Sequence, residues 1–120
     1  MTRATASFTV DSFDPVGEPD GIISSVVLTK TFTGDVEATS TVRMTAAAQT
    51  AYVALELITG TLHGRKGSFV LLHAATPEDT RWVIVTDSGT DELTGLSGTA
   101  VLVRHDDGSH TFTVDYDLPK

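Results

Sequence analysis

The sequence predicts an all-β protein, an eight-stranded antiparallel barrel, and three observations carry that prediction. Apolar and polar residues alternate with period two in nearly every segment. Thr and Val recur throughout, and both lose rotamer freedom on a helix but sit well on a pleated sheet. The segments are short and joined by short links, which favours an up-and-down barrel, since closure removes exposed edges. Two packed sheets are the competing architecture.

The first strand is expected near residues 3–10, where Ala4, Ala6, Phe8 and Val10 share a face opposite Thr5, Ser7 and Thr9. Ser12 to Gly21, with Pro15, Gly17, Pro19 and Asp20, reads as a loop or lid. Strands follow near 22–32 and 35–44. In the latter, Val36, Ala38, Ser40, Val42 and Met44 oppose Asp35, Glu37, Thr39, Thr41 and Arg43. Ala46 to Gln49 is the one segment that reads as a helical turn, with a simple connection as the alternative. Further strands are expected near 51–61, 67–75, 80–86, 96–105 and 110–118. In the last, His110, Phe112, Val114 and Tyr116 oppose Thr111, Thr113 and Asp115.

The hairpin from Tyr52 to Ala75 differs from the rest: around Leu55, Leu57, Val70, Leu71 and Leu72 both faces are apolar. A strand buried on both faces needs a cover on its outer side. A homodimer or larger assembly is therefore expected, with the Ser12 to Gly21 segment as the alternative cover.

Length and composition set the frame. A chain of 120 residues is expected to form one domain, 1–120, and can bury about two-thirds of its unfolded surface. A formal net charge of −8 disfavours phosphate backbones and anionic lipid surfaces, so neither a nucleic-acid nor a membrane partner is expected. Cysteine is absent, which excludes disulfides and thiolate metal sites. The first residues lead straight into the alternation with no long apolar run, and no stretch approaches the roughly 20 apolar residues of a membrane span. A cytoplasmic location is the expectation.

Glu56 and His73 are the candidate catalytic residues. If the turn centres on Gly64-Arg65, His63 pairs with Lys66 and the same register sets Glu56 opposite His73. Cross-strand partners on one face lie about 4.5–5.5 Å apart at Cβ, near enough for a carboxylate–imidazole hydrogen bond. Their face neighbours are Tyr52, Ala54, Ile58, Phe69 and Leu71, so the pair is expected against apolar walls. Burial raises a carboxyl pKa and an imidazolium lowers it, so such a pair can be tuned for general acid–base work. It can equally be a satisfied buried pair that fixes register. Tyr52, Phe69, Trp82, Phe112 and Tyr116 are the candidate substrate-binding residues; aromatic rings in a small β-domain serve either as core or as the wall of a ligand cavity.

Three stretches carry a family resemblance: Thr29 to Asp35, Tyr52 to His73, and Ser88-Gly89-Thr90 with Glu92 to Gly98. The middle one holds Glu56, Gly60, Leu62, Gly64, Gly67, Ser68, Phe69 and His73 in a specific spacing. The chain thereby resembles the bacterial domain-of-unknown-function family 3224 from about Val26 to Leu118. It departs at Ala38, where that pattern has glycine, and the segment Ala74 to Trp82 is shorter. The resemblance implies a barrel similar to allene oxide cyclase and dirigent proteins, with an apolar cavity. It suggests a cofactor-independent isomerase or cyclase of secondary or lipid metabolism.

Other motifs have plain explanations. Gly60, Gly64, Gly67, Gly95 and Gly98 serve curvature, and no helix follows them to make a phosphate cradle. Asp87-Ser88-Gly89 looks like the aspartic-protease signature, which makes a dimeric aspartic protease a remote third reading, but the same residues form turns. His105 and His110 are expected to face each other across an Asp106 to Ser109 hairpin rather than to hold a metal. The sequence thus points to a barrel that binds a small apolar organic molecule without metal or cofactor. It is either an isomerase or cyclase, or a binding or carrier module with no turnover.

Overall fold

The structure, a computed structural model, describes residues 1–18 and 20–119. Eight strands run in chain order: β1 (Thr2–Pro15), β2 (Ile23–Gly34), β3 (Val36–Ala47), β4 (Ala51–Leu62), β5 (Arg65–Ala75), β6 (Thr80–Ile84), β7 (Ser97–Arg104) and β8 (His110–Asp117). Each pairs antiparallel with its neighbour and β8 returns to β1, so the sheet is a closed barrel. The alternation explains the closure, because one face of each strand is apolar and the faces meet only inside. Ala4, Phe8, Phe32, Val36, Ile58, Phe69, Leu71, Phe112 and Val114 fill that interior. Phe32 packs against Phe8 and edge-on against Phe112, with ring centroids 5.4 and 5.2 Å apart.

The two ends of the barrel differ. At the end holding the chain termini, the β6–β7 connection forms a short 3-10 turn, Asp91–Leu93, and buries Leu93 and Leu96. That turn was not expected from the sequence. Past Ile84 the chain keeps following β5, with the Val85 and Thr90 amides donating to Val70 and Ser68 carbonyls. At the other end, the loop end, the inward-facing Leu28, Met44, Tyr52, Ala75, Trp82 and Leu102 are only half-buried.

Several sequence expectations are corrected. The segment from Ser12 is not wholly a loop, since β1 continues to Pro15 through a bulge between Val10 and Ser12. The extra residue is Asp11, whose carboxylate accepts the Thr9 and Thr31 hydroxyls at 2.8 and 2.5 Å. A bulge reverses which face each later residue takes. Phe13, paired with Leu28, therefore turns to the barrel side. Pro19 lies outside the described residues. Ala46 to Gln49 is a connection and not a helical turn: β3 runs to Ala47, and Ala48 and Gln49 take left-handed φ angles of 54° and 58° in the hairpin to β4.

The central hairpin turns one residue earlier than expected. Leu62 pairs with Arg65, so the loop is His63-Gly64, with φ of 47° and 79°. Two left-handed residues make the hairpin turn whose twist matches the strands. Glu56 consequently faces Leu71, and His73 faces Ala54. His110 pairs with Arg104 rather than facing His105. His105 bonds Thr111 at 2.6 Å, and His110 stacks on Phe8 at 4.9 Å. Asp87-Ser88-Gly89 lies in the β6–β7 connection, where the Ser88 hydroxyl donates to the Val85 carbonyl at 2.7 Å.

Candidate active site

Four adjacent strands each send one polar side chain into the apolar interior: Lys30 from β2, Ser40 from β3, Glu56 from β4 and His73 from β5. All four residues are at least nine-tenths buried, and Glu56 is fully so. Direct register brings only Lys30 and Ser40 together, because Ser40 pairs onward with Ile58 and Glu56 with Leu71. Strands in a barrel tilt against its axis, so residues at one height lie on a diagonal of the sheet. Glu56 sits at the centre of that diagonal.

Its carboxylate accepts three bonds. His73 Nε2 donates to Oε1 at 2.8 Å, Lys30 Nζ to the same oxygen at 3.4 Å, and Ser40 Oγ to Oε2 at 2.6 Å. Burial pushes the Glu56 carboxyl up. The His73 bond, the Lys30 charge and the Ser40 bond outweigh it and hold the group below the ordinary carboxylate value. Glu56 is therefore ionised, and because a carboxylate can only accept, the proton of the Glu56–His73 bond is carried by His73 Nε2. Among the described residues, no hydrogen bond engages His73 Nδ1. The Lys30 ammonium also sits 4.5 Å from the centre of the Phe8 ring, a cation–π contact that offsets part of its lost hydration.

The expected binding residues fall into two groups. Tyr52 and Trp82 lie on the loop-end side of the polar cluster. Trp82 is cross-strand partner to His73, and the Tyr52 ring is 6.4 Å from the imidazole. Trp82 Nε1 is buried and forms no hydrogen bond of acceptable geometry. Burial pushes the Tyr52 phenol up; the nearby indole opposes that rise and the Glu56 charge adds to it. Phe69 and Phe112 are fully buried in the packed core. Tyr116 is buried at the termini end, where its hydroxyl and His63 Nδ1 share a 2.5 Å hydrogen bond.

A pocket of about 470 Å³ opens at the loop end. Its lining combines the outward Thr45, Val53, Ala74 and Arg81 with the inward Ala46, Tyr52 and Ala75, so it straddles the barrel rim and opens on the outer wall. Tyr52 links it to the cluster, since the residue is part of the pocket lining and its ring neighbours His73. A second depression of about 480 Å³ lies against β1 and the β7–β8 hairpin, with Phe8, Thr31, Ser109 and His110 in its lining. No group of three or more His, Asp or Glu side chains among the described residues could hold a metal ion. No helix among them is long and apolar enough to cross a membrane.

Lys30 and Ser40 are the site residues that sequence reasoning missed. The signal was present, since Lys30 falls in phase with Val26, Leu28 and Phe32, and a lysine on the apolar face of an alternating strand must find a buried partner.

No curated protein sequence matches this chain. Among solved structures, one similar to it is a protein with unknown function from the DUF3224 family of Shewanella oneidensis MR-1, known from a crystal structure. It is 32% identical, with a TM-score of 0.85, and the match covers 100% of this chain and 99% of the other. The family model described as "Protein of unknown function (DUF3224)" matches residues 4–116, and the chain belongs to that family.

Proposed function

We propose that the barrel binds a small apolar organic molecule at its loop end, above the Lys30–Ser40–Glu56–His73 cluster. The observation that carries this reading is the loop-end pocket, whose volume of about 470 Å³ suits a small ligand and whose wall includes Tyr52, a neighbour of His73. In its catalytic form the reading is a cofactor-independent isomerase or cyclase. Glu56 is too deeply buried to meet a ligand, so its part is to orient His73 and to stabilise the imidazolium, as the carboxylate of a catalytic triad does. His73 then takes a proton from the ligand at Nδ1 and returns it elsewhere on the same molecule. The pocket walls would hold a flexible ligand in a reactive shape, and orientation would supply much of the rate.

A carrier with no turnover is the second reading, and one observation favours it: the Glu56 carboxylate already has three internal partners. Fluorescence of Trp82, the one tryptophan of the chain, tests both. Saturable quenching by polyunsaturated or polyketide-like ligands, weakened at least tenfold in Tyr52→Ala, supports a loop-end site; no saturable response from any of them overturns it. Turnover of a bound ligand that falls about 10²–10⁴-fold in His73→Gln supports the enzyme. Binding without turnover leaves the carrier.

A further inference from the structure

The outer face of the barrel over β3 to β6 is built unlike the rest of the surface. Three outward rows cross it: Thr41–Leu57–Val70, then Arg43–Leu55–Leu72–Val83, then Thr45–Val53–Ala74–Arg81. Of those positions, seven are apolar, two are threonine, two are arginine and none is acidic. Val53, Leu55 and Leu57 leave 55%, 52% and 49% of their surface in water. Three adjacent large aliphatic side chains at half exposure form a contiguous patch rather than scattered surface residues.

Charge decides what can cover it. The chain carries a net charge of −8, so two copies repel each other over most of their surfaces. Carboxylates crowd both ends of the barrel, from Asp14, Glu18, Asp20, Asp106 and Asp107 at one to Asp87, Asp91 and Glu92 at the other. The three rows have none and add two positive charges, the outward Glu37 lying two rows further along β3, so they are where a second acidic copy meets the least opposition. Threonines edge the apolar residues, the arrangement of a dry centre inside a polar rim.

We propose that this face is a homodimer interface, two barrels meeting about a two-fold axis near Leu55. Sheets packed face to face sit about 10 Å apart with strands within about 30° of parallel, and antiparallel strands satisfy a two-fold without new backbone bonds. With strands about 4.8 Å apart and outward residues about 6.7 Å apart along each, the three rows cover on the order of 300–400 Å². That is nearly half of the roughly 800 Å² each partner buries in a standard interface, and the surrounding polar rim supplies the rest. Leu55, Leu57 and Leu72 form the centre. The polar cluster inside the barrel is not part of this surface, but the third row also lines the loop-end pocket; Leu55 and Leu57 lie outside that lining, so variants there test dimerisation apart from ligand binding.

The absence of cysteine makes the test direct. Sedimentation equilibrium of the full chain at about 1 to 100 μM covers the weak-to-moderate regime, and a dimer is expected within it. Leu55→Asp together with Leu57→Asp is expected to weaken it at least tenfold while the β-sheet circular dichroism is retained. Because that variant risks misfolding, single cysteines give a second measurement. A bis-maleimide cross-linker spanning about 8–10 Å, which suits sheets about 10 Å apart, is expected to join Leu55→Cys into a covalent dimer, and Ser7→Cys, on the opposite strand β1, is not. A wild-type monomer throughout the range, an unweakened dimer in the folded double variant, or cross-linking through Ser7→Cys in place of Leu55→Cys overturns the proposal.

Discussion

Glu56 and His73 share a 2.8 Å hydrogen bond although they are two residues out of direct register, with Glu56 facing Leu71 and His73 facing Ala54. The diagonal contact ties together more than two strands. A directly opposed pair would have bridged β4 and β5 alone. On the diagonal, the same carboxylate also reaches Ser40 on β3 and Lys30 on β2, so one buried charge holds four consecutive strands. The polar cluster is thereby a register lock as well as a candidate site.

Unequal losses are expected when its members are removed singly. Glu56→Gln leaves Lys30 buried without a counter-charge and is expected to cost about 3–5 kcal/mol, read as a fall in Tm on the order of 10 °C or more. His73→Gln keeps the Lys30–Glu56 charge pair and should cost less. Lys30→Met combined with Glu56→Gln removes both charges and should recover most of the Glu56→Gln loss. Thermal melts of the three variants check the order, and equal losses from Glu56→Gln and the double variant would contradict it.

Acid should weaken the fold through the same group. The Glu56 carboxyl is held below its ordinary value in the folded protein, so the unfolded chain takes up that proton more readily. Its contribution is therefore complete above the ordinary glutamate pKa of about 4.3 and is lost as pH falls through the lower folded value. Exposed Asp11, Asp107 and Asp115 are also held low and act in the same direction. The wild-type minus Glu56→Gln difference in Tm isolates the buried group. That difference is expected to shrink between about pH 5 and pH 2; a difference constant across that range would count against an ionised Glu56.

Much of this was legible from the alternation, and the reason is parity. Moving the β4–β5 turn from Gly64-Arg65 to His63-Gly64 shifts every partner by two residues. Because side chains alternate with period two, a shift of two leaves each on its own face. Glu56 and His73 thus stayed inside the barrel although their pairing was misplaced. Parity also explains the failure beyond Val10, where the Asp11 bulge inserts a single residue and reverses the faces. Lys30 was readable by its phase with Phe32. Its contact with Glu56 was not, because tilt and closure, which bring β2 beside β4 in the interior, are not local properties of either strand. The buried Leu93 and Leu96 belong to a connection without periodicity, where alternation gives no information.

Gly60 is a position where space, as well as its φ of 155°, dictates the residue. A Cβ built there would lie 2.2 Å from the Glu37 carbonyl oxygen and 2.6 Å from the Ala38 Cα, both backbone atoms that cannot rotate away. Gly60→Ala is therefore expected to push β3 from β4 at a cost of about 1–3 kcal/mol, measured by chemical denaturation. At Gly17 a Cβ meets nothing within 4 Å, so the cost of Gly17→Ala is confined to its left-handed φ of 67°. Equal destabilisation by the two changes would show that close approach is not the controlling factor at Gly60.

The aromatic residues expected to bind ligand lie at different depths and ends of the barrel, and a ligand at the loop end should distinguish them. Tyr52 lines the pocket, whereas Tyr116 is buried at the termini end with its hydroxyl bonded to His63. Tyr116→Phe removes one hydrogen bond and leaves the ring in place, so it is expected to cost about 1 kcal/mol of stability. It should leave ligand affinity within about twofold of wild type, well under 1 kcal/mol. Tyr52→Ala opens the pocket wall beside His73 and should weaken binding at least tenfold, about 1.4 kcal/mol, with little change in fold. Titration of Trp82 fluorescence reads both variants in one assay. If Tyr116→Phe abolishes binding and Tyr52→Ala spares it, the ligand enters past Leu93 and Leu96 at the other end. His63 and Tyr116 would then be the residues that meet it.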